Sequence, residues 1–587
     1  MKDRAADRIF MDGWRPYCWI AVLVFILYGQ TVFFGYTGLD DIFLTVKQHK
    51  EITRLSDLTT ALKADAFGEG TTSFYRPVLT LSFMLDSFWG GVKPSVFHFT
   101  NVLLHILACF LFFRFLLDLS GHKKHYSLAG TFLFAAHPVM TQAVAWIPGR
   151  NDVLLAVFSL ASFIELLKYL KNGKSINYFG HMALLLLALF TKMTALLLPL
   201  LFGAYILLLE NKDKKSSLVR LLPVWGFCGL SYVLTINALM PPEATLGNGL
   251  FNSFGNNLVG LLSYLGKTIL PFGLSPLPSP QDIKWLYGLI AMILFGGFAW
   301  RFGVLDKRKF FFGWIWFAVL MVPSFIKSTP GAFFLEHRLY LPMVGFIMSL
   351  LELNIWRVRS SYHILGTFIV LILVLFGGLT IVHARDFKNE IGFWTYAVKA
   401  SPSSIVAWWG LGETNIVKGK MDEARRNMQQ ALDIDPESAV AHNNLGFLFL
   451  KDGHQDSAAA ELRSAIKLDP GCAEARHNLG TVLMQRGEIN NAVKMFKTAI
   501  SIKPKKANYY TSLGTAQLRN NDQTGAKDNY LKALVLSPTD SGILSGISFL
   551  YYKDGLIDSA RYYYEQAVIF GLAPDDRVMK TLGIYKR

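Results

Sequence analysis

The sequence is poor in charged residues and has few cysteines. Only 17% of its 587 residues are charged, whereas 52% are hydrophobic. The four cysteines stand singly, and their spacing fits neither a disulfide framework nor a metal site. No small-residue cleavage site follows the first apolar run, so we interpret that run as a retained helix and not as a signal peptide. This composition excludes an ordinary soluble protein and predicts a polytopic membrane domain.

The positive charge is unevenly distributed. The first 383 residues hold 32 Lys and Arg against 20 Asp and Glu, whereas the remaining residues hold 26 against 22. The excess lies in short loops between apolar runs, as the positive-inside rule describes for membrane proteins. We therefore expect the lipid bilayer, and not nucleic acid, as the partner of this charge.

Apolar runs predict eleven spans and a cytoplasmic N-terminus. Six basic clusters fall on one side only if residues 257–280 form a re-entrant or interfacial segment. The loop 36–95 and the C-terminal part then share the other side. If residues 257–280 cross, the C-terminal part is cytoplasmic and one basic loop breaks the rule. The predicted spans are 16–35, 96–117, 128–147, 152–170, 177–191, 193–209, 218–238, 285–301, 309–327, 338–355 and 362–383.

Polar side chains gather at the predicted non-cytoplasmic ends of these spans. Asp40 and Asp41 directly follow the first apolar run, where carboxylates can act as base, metal ligand or cation site. Arg150, Lys192 and Arg338 lie at the ends of other runs. Such a face would suit an anionic lipid headgroup and an acid/base reaction. For any one residue the alternative is structural: a solvated loop start, or an arginine that snorkels to the interface.

A 34-residue period dominates the C-terminal part. Ala424, Ala458, Ala492, Ala526 and Ala560 keep this step, as do four prolines and four Leu-Gly pairs. Small residues where helices cross, with proline opening the next unit, are typical of tetratricopeptide (TPR) repeats. We predict five repeats over 405–574, a half repeat in the junction 384–404 and a tail at 575–587. The predicted groove positions are Trp409, Asn443, His477 and Thr511.

Five motifs occur in order before the repeats. They are Asp40-Asp41, Tyr75-Arg-Pro with Leu-Ser-Phe-Met-Leu-Asp86, Phe134-Ala-Ala-His-Pro-Val, Ala143-Val-Ala-Trp-Ile-Pro-Gly-Arg-Asn-Asp152 and Glu336-His-Arg-Leu-Tyr-Leu-Pro-Met-Val-Gly-Phe346. With these motifs and the repeats, the chain resembles the transmembrane and TPR O-mannosyltransferase-like family, which belongs to the C-type glycosyltransferases (GT-C). The resemblance covers nearly the whole chain and implies an all-α, GT-C-like bundle over residues 1–383, followed by a TPR solenoid.

The resemblance also implies the chemistry. The donor would be a polyprenyl-phosphate-linked sugar, with Asp40 as base and Asp41 orienting it or binding a divalent metal, Mg²⁺ or Mn²⁺. Arg338, with Arg150 or Lys192, would hold the phosphate. The family often reads Ser-Lys-Glu where this chain has Thr-Lys-Met, so that carboxylate is absent here. The supporting residues of the implied site are Arg76, His137, Asp152, Glu336, His337 and Tyr340.

The sequence thus predicts a membrane glycosyltransferase whose repeats recruit a protein acceptor or a partner. One alternative is a non-catalytic scaffold for an envelope complex, in which the acidic pair is dispensable. Another is a transporter that uses the intramembrane polar residues. Because the chain has no Asn-x-Ser/Thr sequon, we expect a bacterial inner membrane with periplasmic repeats. In a eukaryotic cell the repeats would be lumenal in the endoplasmic reticulum.

Overall fold

The computed structural model describes residues 11–47, 75–121, 123–210, 214–239, 250–282, 285–326, 335–354 and 362–584. The chain divides into two compact units, Met1–Ala407 and Trp408–Arg587. The prediction of an all-α protein is confirmed, because the described ranges consist of helices joined by turns and loops. Their only β-type pairing is an isolated bridge between Val304 and Leu353.

The first unit is a bundle of apolar helices. Six of its described helices are long and apolar enough to cross a membrane, or seven if one bent pair counts as a span. Its α-helices of ten or more residues are Arg15–Tyr28, Pro77–Gly90, Pro94–Ser120, Lys124–Ala136, Arg150–Asn172, Ser175–Thr191, Leu198–Leu208, Lys214–Leu239, Leu250–Ile269, Trp285–Phe302, Lys307–Met321, Pro342–Leu351, Tyr362–Ala384 and Glu390–Ala400.

Several predicted spans correspond to helices shorter than a bilayer needs. Ser175–Thr191, Met193–Leu208 and Pro342–Leu351 are apolar but short, and Lys307–Met321 has 15 residues. A straight helix needs about 20 residues to cross the hydrocarbon core. The count of eleven spans therefore stays a prediction, as does its sidedness. The basic residues Lys2, Arg4, Arg8, Lys212, Arg357 and Arg359, and residues 48–74 of the first loop, lie outside the described ranges.

The bent pair has a clear local cause. Lys124–Ala136 and Pro138–Ala145 meet at 56° across His137, because Pro138 cannot donate the next helical hydrogen bond. The His137 ring instead accepts from the backbone N–H of Val139, at 3.4 Å. A second proline-containing turn, Ile147–Gly149, follows at once. These two breaks place Trp146 and the first turn of Arg150–Asn172 at the end of the bundle.

Residues 257–280 form the end of a helix and a proline-rich segment of bends that leads into the short helix Pro280–Asp282. The helix Leu250–Ile269 is not one of the six helices that meet the criteria for a span. It packs closely on Trp285–Phe302, since a Cβ on Gly288 would stand 1.7 Å from the backbone oxygen of Leu262. This agrees with the expectation of a re-entrant or interfacial segment, which stays a prediction.

Long-range hydrogen bonds gather the predicted non-cytoplasmic ends of several helices. The amide of Gly35 donates to the Lys388 carbonyl at 2.8 Å, and a His98 ring nitrogen lies 3.3 Å from the Gly35 carbonyl. The Asn101 amide donates to the Trp146 carbonyl at 3.3 Å. The exits of the first and last apolar helices therefore lie together, beside the entry of Pro94–Ser120.

The second unit repeats one helix pair. In four repeats the glycine of the first helix faces a bulky residue sixteen positions later, and a Cβ on that glycine would stand 2.5–2.8 Å from the bulky side chain. The alanines that keep the 34-residue step are fully buried. The helix pairs are Ile405–Val417 with Met421–Ile434, Ala439–Lys451 with Gln455–Leu468, Ala473–Gln485 with Ile489–Ile502, Ala507–Arg519 with Gln523–Leu536, and Ser541–Lys553 with Ile557–Ile569.

The fifth repeat and the tail depart from this pattern. Ser548 stands where the other repeats have glycine, and its hydroxyl donates to the Ala560 carbonyl at 2.7 Å. The tail contains a short helix, Asp576–Thr581. Leu582 after it packs with Ala560 and Tyr564. The end of the solenoid is therefore covered by the chain itself, as expected for a capping repeat.

Candidate active site

The acidic pair forms a tight turn after the first apolar helix. The buried Asp41 carboxylate accepts hydrogen bonds from the backbone N–H of Thr37 at 2.6 Å and from the Thr37 hydroxyl at 2.9 Å. Asp40 is only partly buried, and among the described residues its carboxylate has no hydrogen-bond or ion-pair partner. The two neighbours thus differ: Asp41 stabilises the turn through Thr37, whereas the Asp40 carboxylate makes no such contact in the described ranges.

The surroundings of Asp40 favour a base. Burial raises the pKa of Asp40 to about 6, the charge of Asp41 acts in the same direction, and Arg76 opposes them. Burial also raises the pKa of Asp41, although its hydrogen bonds with Thr37 counteract the effect. A carboxylate with a pKa near neutrality can accept a proton more effectively than an ordinary aspartate and still be ionised at pH 7.

A second group of charged residues surrounds Asp152, in the first turn of Arg150–Asn172. The Lys192 ammonium lies 2.6 Å from one Asp152 oxygen, and a His337 ring nitrogen lies 3.9 Å from the other. The His337 amide donates to the side-chain oxygen of Gln142 at 3.0 Å. Three predicted site residues from distant parts of the sequence are therefore brought together.

Three cations meet at this group. Burial lowers the pKa of Lys192; Asp152 opposes this effect, and the charges of Arg76 and Arg338 reinforce it. Arg76 interacts electrostatically with Asp152 and with Asp40, so it links the two groups. Arg338 is partly exposed, and in the described ranges no carboxylate lies within ion-pair distance of its side chain. This arrangement can bind a phosphate beside the acidic pair.

Arg150 is placed differently from the other predicted phosphate ligands. It is fully buried and lies 2.6 Å from Asp86. It also donates to the Asn101 side chain at 2.7 Å and to the Phe97 carbonyl at 2.8 Å. Its guanidinium stands 4.4 Å from the centre of the Phe83 ring. Acceptors within the protein thus already engage Arg150, which favours a positioning role over contact with a donor.

Glu336 belongs to a buried network that sequence reasoning missed. It accepts from Lys267 at 2.9 Å and from the Ser275 amide at 2.6 Å, and a His383 ring nitrogen lies 3.2 Å away. The other His383 ring nitrogen lies 2.8 Å from Asp386. The network joins the proline-rich segment, the turn that carries Arg338 and the exit of the last apolar helix. Only the position of Lys267, a lone cation in an apolar run, could have indicated it.

The other predicted supporting residues lie close to the same end. A His137 ring nitrogen lies 3.1 Å from the Thr268 carbonyl. The Tyr340 hydroxyl lies 2.6 Å from a ring nitrogen of buried His105. Both contacts hold neighbouring elements together, and neither side chain joins the group around Asp152 through a direct hydrogen bond. Their contacts are those of structural supports.

The junction helix Glu390–Ala400 belongs to the first unit and contacts the acidic turn. A Cβ on Gly38 would stand 2.6 Å from a Glu390 carboxylate oxygen, so the two are in close contact. The Tyr396 hydroxyl donates to the Leu274 carbonyl at 2.9 Å. The half repeat that precedes the solenoid is therefore anchored beside the acidic pair.

The predicted groove positions make contacts within the second unit. Asn443 accepts from the side chain of Asn478 at 3.0 Å. A His477 ring nitrogen lies 2.9 Å from the Ser512 hydroxyl, and the Thr511 hydroxyl donates to the Ala507 carbonyl at 3.1 Å. Trp409 is partly exposed. Their role as a binding surface stays a prediction.

The described residues contain no group of three or more His, Cys, Asp or Glu side chains that could hold a metal ion. Asp40 and Asp41 supply two carboxylates, and the oxygens of Asp41 already accept from Thr37. These residues alone do not complete a metal site. A bound Mg²⁺ or Mn²⁺ stays a prediction, and no step below depends on it.

The fold and the polar end of the bundle define a class: a polytopic membrane protein with a TPR solenoid. The TPR repeat family model matches residues 417–453 and 480–521. The chain is 29% identical over 300 residues to Protein O-mannosyl-transferase Tmtc1 of Drosophila melanogaster, covering 46% of this chain and 34% of that protein. It is 25% identical to Protein O-mannosyl-transferase F38B6.6 of Caenorhabditis elegans, covering 62% and 54%.

A shorter match reaches 43% identity with Protein O-mannosyl-transferase TMTC2 of Mus musculus, over 19% of this chain and 13% of that protein. The chain thus spans about half or less of the length of these curated relatives. The resemblance to the transmembrane and TPR O-mannosyltransferase-like family is confirmed by these matches.

The chain is also similar to solved structures. These include Pseudomonas aeruginosa pilF, with 24% identity and a TM-score of 0.29 over 31% of this chain and 85% of that one. Another is YrrB, described as a TPR protein with an unusual peptide-binding site, with 14% identity and a TM-score of 0.27 over 32% and 97%. At such scores the likeness does not bear on the function of the chain.

Proposed function

We propose that this protein is a membrane glycosyltransferase of the GT-C type. It moves a sugar from a polyprenyl-phosphate carrier to a hydroxyl of a protein or glycan on the non-cytoplasmic face. Mannose is the first candidate, because the curated relatives are named protein O-mannosyl-transferases. The repeats recruit the acceptor or a partner, since TPR solenoids bind proteins and peptides along a concave surface.

One observation carries this proposal: an unpartnered carboxylate lies beside a cluster of cations. Asp40 has no hydrogen-bond partner in the described ranges, and Arg76 beside it also interacts with Asp152 and Arg338. A phosphate held by Arg338, Arg76 and Lys192 would place the sugar between the cations and the base. The charge-assisted hydrogen bonds of such cations are the stronger kind.

The reaction is a single displacement. The acceptor oxygen attacks the anomeric carbon as the bond from that carbon to the phosphate oxygen breaks. The acceptor proton passes to Asp40, and the polyprenyl phosphate leaves with the bonding electron pair. The cations stabilise the charge that develops on the leaving phosphate, which is the type of electrostatic stabilisation that contributes most to many enzymes.

The proposal is tested by glycan and intact-mass analysis of envelope proteins from three kinds of cell: those that have the full chain, those that lack it and those that carry its Asp40→Asn variant. Asparagine is nearly isosteric with aspartate but is not an effective base, so we expect transfer to slow at least about a hundredfold. A matched control is Asp118→Asn, because this carboxylate pairs with Arg114 at 2.9 Å, on the predicted cytoplasmic side.

The scaffold alternative gives the opposite result. If the envelope glycans depend on the protein but Asp40→Asn supports the wild-type rate, Asp40 is not the base. If no glycan depends on the protein while an envelope complex does, the chain is a scaffold and the proposal is wrong.

A further inference from the structure

Three buried side chains that lie together beside the cations each carry one unpartnered polar atom. The Trp146 indole N–H, one oxygen of Asp152 and one ring nitrogen of His337 are shielded from solvent and have no hydrogen-bond partner among the described residues. The three side chains are at least nine-tenths buried, with relative exposures of 5%, 3% and 6%. A buried polar group without a partner destabilises a protein, because it has lost its hydrogen bonds to water without replacement.

These atoms come from three separate elements that neighbouring residues hold in place. The rings of Trp146 and His337 are 5.5 Å apart, centre to centre. The Nε2 atom of His337 lies 3.9 Å from the unpartnered oxygen of Asp152, whereas the unpartnered ring nitrogen of His337 is Nδ1. The other Asp152 oxygen is fixed by Lys192. Gln142 binds the His337 amide and the Pro276 carbonyl, both at 3.0 Å. Lys192 and Gln142 therefore hold Asp152 and the His337 backbone in place, whereas the Trp146 indole N–H makes no hydrogen bond that would fix its ring.

The chemistry of the three groups matches a sugar ring. The indole N–H donates, the carboxylate oxygen accepts, and a neutral imidazole can do either. Burial, together with the charges of Lys192, Arg338 and Arg76, lowers the pKa of His337 well below its usual value, so the ring is neutral at pH 7. Each hydroxyl of a hexose can both donate and accept, so adjacent hydroxyls can pair with these three groups.

We propose that Trp146, Asp152 and His337 form the subsite that binds the hydroxyls of the donor sugar. This inference rests on the proposed function, because it assumes that Arg338 and Lys192 bind the phosphate of the same donor. Because the three polar atoms are shielded from solvent, entry of the sugar requires the Trp146 side chain to turn. Sugar selectivity would then depend on these residues and affinity for the lipid phosphate on the cations.

The test compares lipids with and without the sugar. The dissociation constants of polyprenyl-phosphate mannose, polyprenyl-phosphate glucose and bare polyprenyl phosphate are measured with the purified full chain in detergent. We expect at least one glycosylated lipid to bind more tightly than the bare phosphate. Trp146→Phe keeps a ring but removes the N–H, so it should weaken binding of that lipid about three- to tenfold. Affinity for bare polyprenyl phosphate should not change.

Trp225→Phe is the matched control, because the Trp225 N–H already donates to His181 at 2.9 Å. It should lower stability without changing the ratio of the affinities for glycosylated and bare lipid. Arg338→Ala should weaken both lipids alike. Equal affinity of the wild-type protein for all three lipids would overturn the subsite, as would an equal loss for glycosylated and bare lipid in Trp146→Phe. Either result leaves the role of Asp40 in transfer open to its own test.

Discussion

Arg150 and Arg338 both lie at the polar end of the bundle, yet their variants should fail in different ways. The Arg150 guanidinium is fully buried and paired with Asp86 at 2.6 Å. It makes further hydrogen bonds with Asn101 and the Phe97 carbonyl. In Arg150→Met the Asp86 carboxylate stays buried without its counter-ion. Removing one partner of a buried pair typically costs about 3–5 kcal/mol.

The assay is thermal unfolding of the purified protein in detergent at one fixed scan rate. For a domain of this size such a loss should lower the midpoint by about 3–10 °C. The double variant Asp86→Leu with Arg150→Met removes both charges, so it should be less destabilised than the sum of the single variants. Thr100 also donates to Asp86 at 2.7 Å, and its contact is lost in the double variant.

The binding assay completes the comparison. Among Arg150→Met molecules that remain folded, affinity for polyprenyl phosphate should stay within about threefold of the wild type, since no hydrogen bond to the lipid is lost. An unchanged unfolding midpoint combined with lost lipid affinity would refute this reasoning. Arg150 would then be a phosphate ligand, as the sequence allows.

Three further outcomes are expected. The rate of transfer should fall as pH drops through about 6, because burial and the charge of Asp41 raise the pKa of the base Asp40 to about 6 and protonation inactivates a base. Asp41→Asn should move this fall in rate to lower pH. A wild-type rate that falls only near pH 4 would contradict the assignment of Asp40 as the base. Arg338→Ala should weaken donor binding by about 1.5–3 kcal/mol, with partial rescue by lysine; unchanged affinity would remove Arg338 from the site. Phosphatase fusions after residue 387 should be active and fluorescent-protein fusions dark, and the reverse would place the repeats in the cytoplasm.

The sequence alone predicted the parts of the protein that depend on local periodicity. The 34-residue step of Ala424 and its equivalents predicted the helix pairs, because small residues at fixed spacing let two adjacent helices approach. Apolar runs predicted the bundle, and the position of Asp40 and Asp41 after the first run marked the candidate site. The number of spans was harder to predict from the sequence, since short helices and the bend at Pro138 do not appear as separate features of an apolar run.

Tertiary structure decided which polar residues engage one another. Arg150 and Arg338 look alike in the sequence, but the fold pairs Arg150 with Asp86, 64 residues away, and leaves Arg338 partly exposed. Trp146 reads as one aromatic in an apolar motif until the fold sets its ring 5.5 Å from that of His337. Pairing depends on proximity in space, which the packing of whole helices determines. A periodic pattern along the chain does not show which polar residues will be neighbours in space.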